Sequence, residues 1–140
     1  MNILLVDDQE DQAMLVKAAF EVARIEAVIN YVSGGVECLA YLRKELDYSA
    51  VRTPDLILLD LNMPQMNGFQ VLEHLAADFQ LKHIPVVVLT TSTNPTDVRK
   101  CYSLGCNSYI SKPFDFDELA KAMGLMYRYW FHLAALPSPQ

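Results

Sequence analysis

The apolar positions of this chain fall into short runs separated by longer stretches with helical spacing. NILLV (residues 2–6), AVINYV (27–32), DLILLD (55–60), IPVVVLT (84–90) and NSYIS (107–111) read as five strands. The third and fourth runs lack the apolar–polar alternation of a half-exposed strand, which predicts cover on both faces. The intervening segments repeat at 3.6 residues. Residues 11–24 would turn Leu15, Ala19 and Val22 inward. Residues 34–46 would do the same with Val36, Leu39, Ala40 and Leu46. Residues 68–79 form a third helix. Residues 94–105 open with Asn94 as N-cap and Pro95 at the first helical position, and close on Gly105. The last helix starts at Asp115 with a D-x-x-E opening.

Five strand–helix units in strict alternation predict parallel strands joined by right-handed crossovers. A closed eight-stranded barrel needs a far longer chain. The expectation is α/β: a flavodoxin-like, doubly wound five-stranded parallel sheet in the order 2-1-3-4-5, with helices on both faces.

In such a sheet, ligands bind outside the carboxyl ends of the strands, where the winding direction reverses. The polar residues fall at those ends. The first strand runs into Asp7 and Asp8, the third into Asp60, the fourth into Thr90 and the fifth into Lys112. The first and third strands are neighbours in this order, so three carboxylates converge. Singly, each residue has an ordinary use as a turn, a cap or a solvated side chain; the shared rim is what points to chemistry. Like charges about 4 Å apart repel by about 4 kcal/mol at moderate dielectric, so the cluster calls for a cation. All-oxygen ligation suits Mg²⁺, which accepts one or two carboxylates and leaves positions for phosphate oxygens. The Lys112 charge and the Thr90 hydroxyl complete a set suited to holding a transferring phosphoryl group.

The net charge of −6 argues against a nucleic-acid surface. No apolar stretch approaches the roughly 18 residues of a membrane span, and the start MNILLVDDQE lacks the pattern of a secretion signal. A cytoplasmic protein is expected. The three cysteines, Cys38, Cys101 and Cys106, and the scattered His74, His83 and His132 have no zinc-ligand spacing.

LLVDD, DLILLDLNMPQMNG, VVVLTTS and YISKPF, in this order and spacing, resemble the receiver domain of two-component response regulators. The resemblance spans nearly the whole chain and assigns roles. Asp60 would be the phospho-acceptor. Asp8, Asp60 and the backbone carbonyl of Asn62 would ligate Mg²⁺, with Asp7 helping through water. Lys112 would pair with the phosphoryl oxygens, Thr90 would swing in to bond them, and Tyr109 would move with it. A cis bond before Pro113 would aim Lys112 at the site. Thr91 stands where many members carry a smaller residue, which implies slower phosphoform hydrolysis than in Thr91→Ala. The donor would be the phosphohistidine of a sensor histidine kinase.

The resemblance places a receiver at residues 1–124 and an extension of the last helix with a short tail at 125–140. No effector domain is expected, so output would be a change of protein partner. Leu119, Met123, Met126, Trp130 and Leu133 form an apolar stripe. A helix reaching about residue 134 would be about 30 Å long, against about 17–20 Å for a typical strand. Its end should overhang the sheet, with Tyr127, Trp130 and Phe131 anchoring a homodimer. The loop before the third strand and the aromatic tail resemble the small regulators paired with phytochromes. Two other functions compete. An Asp-nucleophile phosphatase needs a DxDx[TV] run, where this chain has DDQE. A receiver-like module that is never phosphorylated usually lacks one of the acidic, Thr or Lys residues, and all are present here.

Overall fold

β1 (Asn2–Val6) and β3 (Leu56–Leu59) send successive side chains to opposite faces of one sheet, and both faces are covered. Leu4, Val6, Ile57 and Leu59 meet α2 (Gly35–Leu42) and α3 (Gly68–Ala77) on one side. Ile3, Leu5, Leu56 and Leu58 meet α1 (Glu10–Val22) and α5 (Phe116–Arg128) on the other. This double cover is why the strands are apolar throughout. With β2 (Val28–Val32), β4 (Val86–Thr90) and β5 (Ser108–Ser111), the strands run parallel in the expected order β2-β1-β3-β4-β5. α4 (Pro95–Ser103) joins β4 to β5. The computed structural model describes residues 1–137. The last three residues of the predicted tail lie outside the described residues.

Local chemistry sets the helix boundaries. Asn67 and Gln70 form a reciprocal capping box at the start of α3. Asn94 accepts from the Thr96 N–H, and Pro95 follows it in α4. That helix ends in a Schellman motif: Cys106 N–H donates to the Cys101 carbonyl, Gly105 N–H to the Tyr102 carbonyl, and Gly105 takes φ +102°. The same closure ends α1 at Arg24 and α2 at Lys44, both at φ 57° without a glycine.

Several expectations are corrected. α1 buries Ala13, Val16, Ala19 and Phe20, while Leu15 and Val22 are exposed. Two small alanines let the helix lie close to its neighbours and Phe20 fills the gap, so the inward face is not the one with the most leucine-like residues. α2 stops at Leu42 because Lys44 enters the left-handed region; Val36 and Leu46 are exposed. α5 continues into a π-helical turn, Tyr129–Leu133, and the wider turn changes which residues face inward. Trp130, continuing the stripe of Met123 and Met126, and Phe131 are half-buried against the second core cluster rather than stranded beyond it, whereas Leu133 turns outward. The outward set is Leu125, Tyr129 and Leu133. The bond before Pro113 is trans. The trans isomer is the intrinsically favoured one, and the long Lys112 stem reaches the site without it.

Candidate functional site

The sheet delivers its polar residues to one edge. β1 hands over to Asp7 and Asp8, and the Asp60 N–H continues the ladder by donating to the Val6 carbonyl. Carboxylate oxygens of Asp7, Asp8 and Asp60 lie within 4.8 Å of one another. Asp7 is buried, with its carboxylate accepting the Gln9 N–H at 2.9 Å and its carbonyl accepting the Tyr31 hydroxyl at 2.8 Å. Asp60 accepts the Leu61 N–H at 2.8 Å, which fixes its rotamer at the turn.

The chain leaves this edge through a tight loop. Met63 N–H donates to the Leu61 carbonyl and Met66 N–H to that of Pro64. Gly68 then returns against β3: a Cβ there would sit 2.5 Å from the Asp60 carbonyl oxygen and 2.8 Å from Leu61 Cα. Only glycine allows α3 to start so close to the Asp60 backbone.

Lys112 enters from the other side. Its ammonium lies 3.4 Å from the Asp7 carboxylate, and its N–H donates to the Thr90 carbonyl, so it is tied to both neighbours. The Thr90 hydroxyl is fully buried with no acceptor at hydrogen-bonding geometry, yet stands near enough to Asp60 to favour its ionised form slightly. Burial first, and the Asp7 charge second, push the Asp60 carboxyl above the ordinary carboxylate range; Lys112 and the Leu61 N–H pull the other way. The Tyr31 phenol is likewise raised, by burial and then by Asp7, Glu10 and Asp8, and so remains a donor.

Asp7, Asp60 and Lys112 open onto a cleft of about 530 Å³, also lined by Asn62, Thr91, Gln12 and Phe114. Tyr109 stands outside it, its hydroxyl donating to the Ser92 carbonyl at 2.9 Å. Tyr127, Trp130 and Phe131 lie at the far end of α5, away from the cleft lining. The sequence reading missed Tyr31, taking it only as a strand residue, and the cleft-lining Gln12 and Phe114. An aromatic near the carboxyl end of the strand beside the acidic pair was the available signal for Tyr31.

The donor set fits a hard divalent cation. The cluster is all carboxylate, and the buried Asp8 Oδ1 has no hydrogen-bond partner, which a cation would supply.

Residues 3–124 match the response regulator receiver domain. The chain belongs to that family. The receiver is 38% identical over 137 residues to the probable methanogenesis regulatory protein FilR2 of Methanothrix harundinacea, covering 98% of this chain and 88% of that one. It is similar to the phosphorylated cyanobacterial phytochrome response regulator RcpA, at 39% identity, TM-score 0.91 and 98% coverage of each chain. It is also similar to the Mn²⁺-bound form of response regulator Rcp1, at 35% identity, TM-score 0.88 and coverage of 98% and 99%; Rcp1 is a Synechocystis protein. Receivers bind a divalent metal and are phosphorylated by histidine kinases, and this chain carries a cluster of three carboxylates that could hold such an ion. Among the described residues no helix is long and apolar enough to cross a membrane.

Proposed function

We propose that Asp60 is the phospho-acceptor of a Mg²⁺-dependent switch, loaded by the phosphohistidine of a sensor histidine kinase, a phytochrome among such sensors. The observation that carries this is the convergence of three carboxylates at the ends of β1 and β3, with a buried unpartnered threonine hydroxyl and a nearly buried lysine beside them. The phytochrome pairing rests on the likeness to RcpA. A cytoplasmic site of action belongs to the same reading, as does the absence of a nucleic-acid partner, which the charge of −6 supports.

Asp8, Asp60 and the Asn62 carbonyl would hold Mg²⁺ directly and Asp7 through water. When bound, the ion supplies positive charge against the carboxylates and the phosphoryl oxygens. The protein does the rest. β3 and the Leu61 N–H hold the Asp60 carboxylate in line, with one oxygen free to attack phosphorus. The new P–O bond forms as the P–N bond to the kinase histidine breaks, and the imidazole takes up a proton. Lys112 leaves Asp7 for the new phosphoryl oxygens, and the Thr90 hydroxyl gains the acceptor it lacks. Thr90 and Tyr109 then shift the populations of the α4–β5–α5 surface, which a downstream protein reads. Slow self-hydrolysis of the acyl phosphate resets the switch; Asp60 is consumed and regenerated on one chain, so this is not a turnover enzyme.

Residues 1–124 act as the receiver, and within 125–140 the end of α5 and the turn Tyr129–Leu133 form a homodimer contact. Tyr127, Trp130 and Phe131 shape that end: Tyr127 stacks 4.8 Å from Phe131, and its hydroxyl reaches the Glu26 carbonyl at 3.2 Å. Leu125, Tyr129 and Leu133 present the exposed apolar face.

Incubation with Mg²⁺ and acetyl phosphate tests the reading. Intact-mass measurement should find one added phosphoryl group, absent from Asp60→Asn. Continuous phosphate release at a catalytic rate would favour a phosphatase, and no incorporation would favour a passive module.

A further inference from the structure

We propose that Tyr31 is a positioning residue for the metal-binding acidic pair, acting through the Asp7 carbonyl. The inference rests on the reading of the cleft as a metal and phosphoryl site. β1 pairs with β2 in register from Asn2 opposite Val28 to Val6 opposite Val32. Beyond that register the pairing fades: the last backbone bond, from Asp7 N–H to the Val32 carbonyl, has stretched to 3.3 Å. The neighbouring chain then turns away into α2 at Gly34 and Gly35. The Asp7 N–H is thus the last group the ladder holds, and the Asp7 carbonyl and Asp8 stand past its end.

Tyr31 supplies what the ladder does not. It sits opposite Leu5, and its ring packs against the core cluster under α1 and α5. The Lys17 ammonium lies 5.9 Å from the ring centroid on the α1 side. From this seat the hydroxyl donates to the Asp7 carbonyl at 2.8 Å, a contact between residues 24 apart. That carbonyl belongs to the peptide joining Asp7 to Asp8. Holding its oxygen fixes the plane of that peptide, and with it the direction from which the Asp8 side chain leaves the backbone. Asp8 Oδ1 is buried and has no hydrogen-bond partner of its own. Its direction therefore depends on the backbone that carries it. Outer partners of this kind orient metal ligands, and their removal typically weakens metal binding about 10- to 100-fold. Tyr31 acts through one backbone peptide, so an effect at or below the lower end of that range is expected.

Mn²⁺ is the probe, its binding read by titration calorimetry and by the loss of the free-ion electron paramagnetic resonance signal. Tyr31→Phe keeps the ring and removes one hydroxyl. It should raise the Mn²⁺ dissociation constant about 3- to 10-fold. Phosphorylation by acetyl phosphate should slow at subsaturating metal and return close to the wild-type rate at saturation. A purely structural role would lower the unfolding midpoint of the metal-free protein and leave Mn²⁺ affinity unchanged. Replacing Tyr31 with 4-aminophenylalanine, which restores a donor at the same place, should recover affinity. Wild-type-like Mn²⁺ affinity in Tyr31→Phe, with binding abolished in Asp8→Asn, overturns the inference and leaves the site reading intact. Absence of Mn²⁺ binding by the wild type overturns both.

Discussion

The Lys112 ammonium lies 3.4 Å from the Asp7 carboxylate, across 105 residues of sequence, with both side chains nearly buried. It is therefore paired with an acidic neighbour of Asp60, the proposed phospho-acceptor, and not with Asp60 itself. Lys112→Ala leaves three carboxylates without their fixed positive charge. In metal-free buffer the variant should lose about 1–3 kcal/mol, less than a fully enclosed pair would, because the cleft admits water. Urea unfolding measures this; an unchanged midpoint would show the pair to be energetically neutral.

Asp60 gives a pH dependence with a definite sign. Its carboxyl is raised by burial and by Asp7. A carboxyl with a higher pKa folded than unfolded stabilises most when protonated; that contribution is lost as pH rises through the folded value. Ionised Asp60 thus destabilises the metal-free fold at neutral pH. Asp60→Asn should be more stable than wild type at pH 7 without metal, and the gap should close as pH falls to about 3. Saturating Mg²⁺ should narrow or reverse the order, since binding stabilises the chain that keeps its ligand. A metal-free wild type more stable than the variant at pH 7 contradicts this.

Gly68 couples the start of α3 to the backbone of Asp60, with only 2.5 Å between a would-be Cβ and the Asp60 carbonyl. Gly68→Ala should cost about 1–3 kcal/mol by forced displacement. It should also slow phosphorylation more than Asn67→Ala, which removes the α3 cap without entering the site. Equal rates in the two variants would separate the loop from the chemistry.

Thr91 is exposed and lines the cleft next to Lys112 and Asn62. In the proposed phosphoform its side chain would narrow the path of a hydrolytic water. The phosphoform of Thr91→Ala should decay faster than wild type in a phosphate-release time course. Identical lifetimes would remove Thr91 from the account.

The apolar end of α5 predicts self-association. Leu133→Asp with Tyr129→Ala should shift sedimentation toward monomer without unfolding, because both residues are exposed. Trp130→Ala should weaken the fold as well, since Trp130 also packs on the core. A wild type that sediments as a monomer with and without phosphodonor excludes the contact.

The sheet order and the acidic rim were legible because both follow from runs and their endpoints. Apolar strands without alternation announce two covered faces, and the residues after them must then sit on the rim. Helix detail was less legible. The stops at Arg24 and Lys44 use left-handed backbone without glycine, so no residue type marks them. The inward face of α1 is set by the small Ala13 and Ala19, which a reading by hydrophobicity ranks below Leu15 and Val22. The turn Tyr129–Leu133 departs from 3.6-residue spacing, and periodicity cannot see its own failure. Tyr31 was hidden because its partner is a backbone carbonyl, which carries no residue label.

The Ser92 carbonyl, two positions past Thr90, receives both the Tyr109 and the Ser111 hydroxyls. In the proposed switch, Thr90 as sensor and Tyr109 as reporter would thus be hinged on one short span of backbone. A nudge at the cleft would have almost no distance in which to dissipate before it reached the aromatic ring. The message would leave the molecule by leverage over a few bonds, not by a wave through its interior.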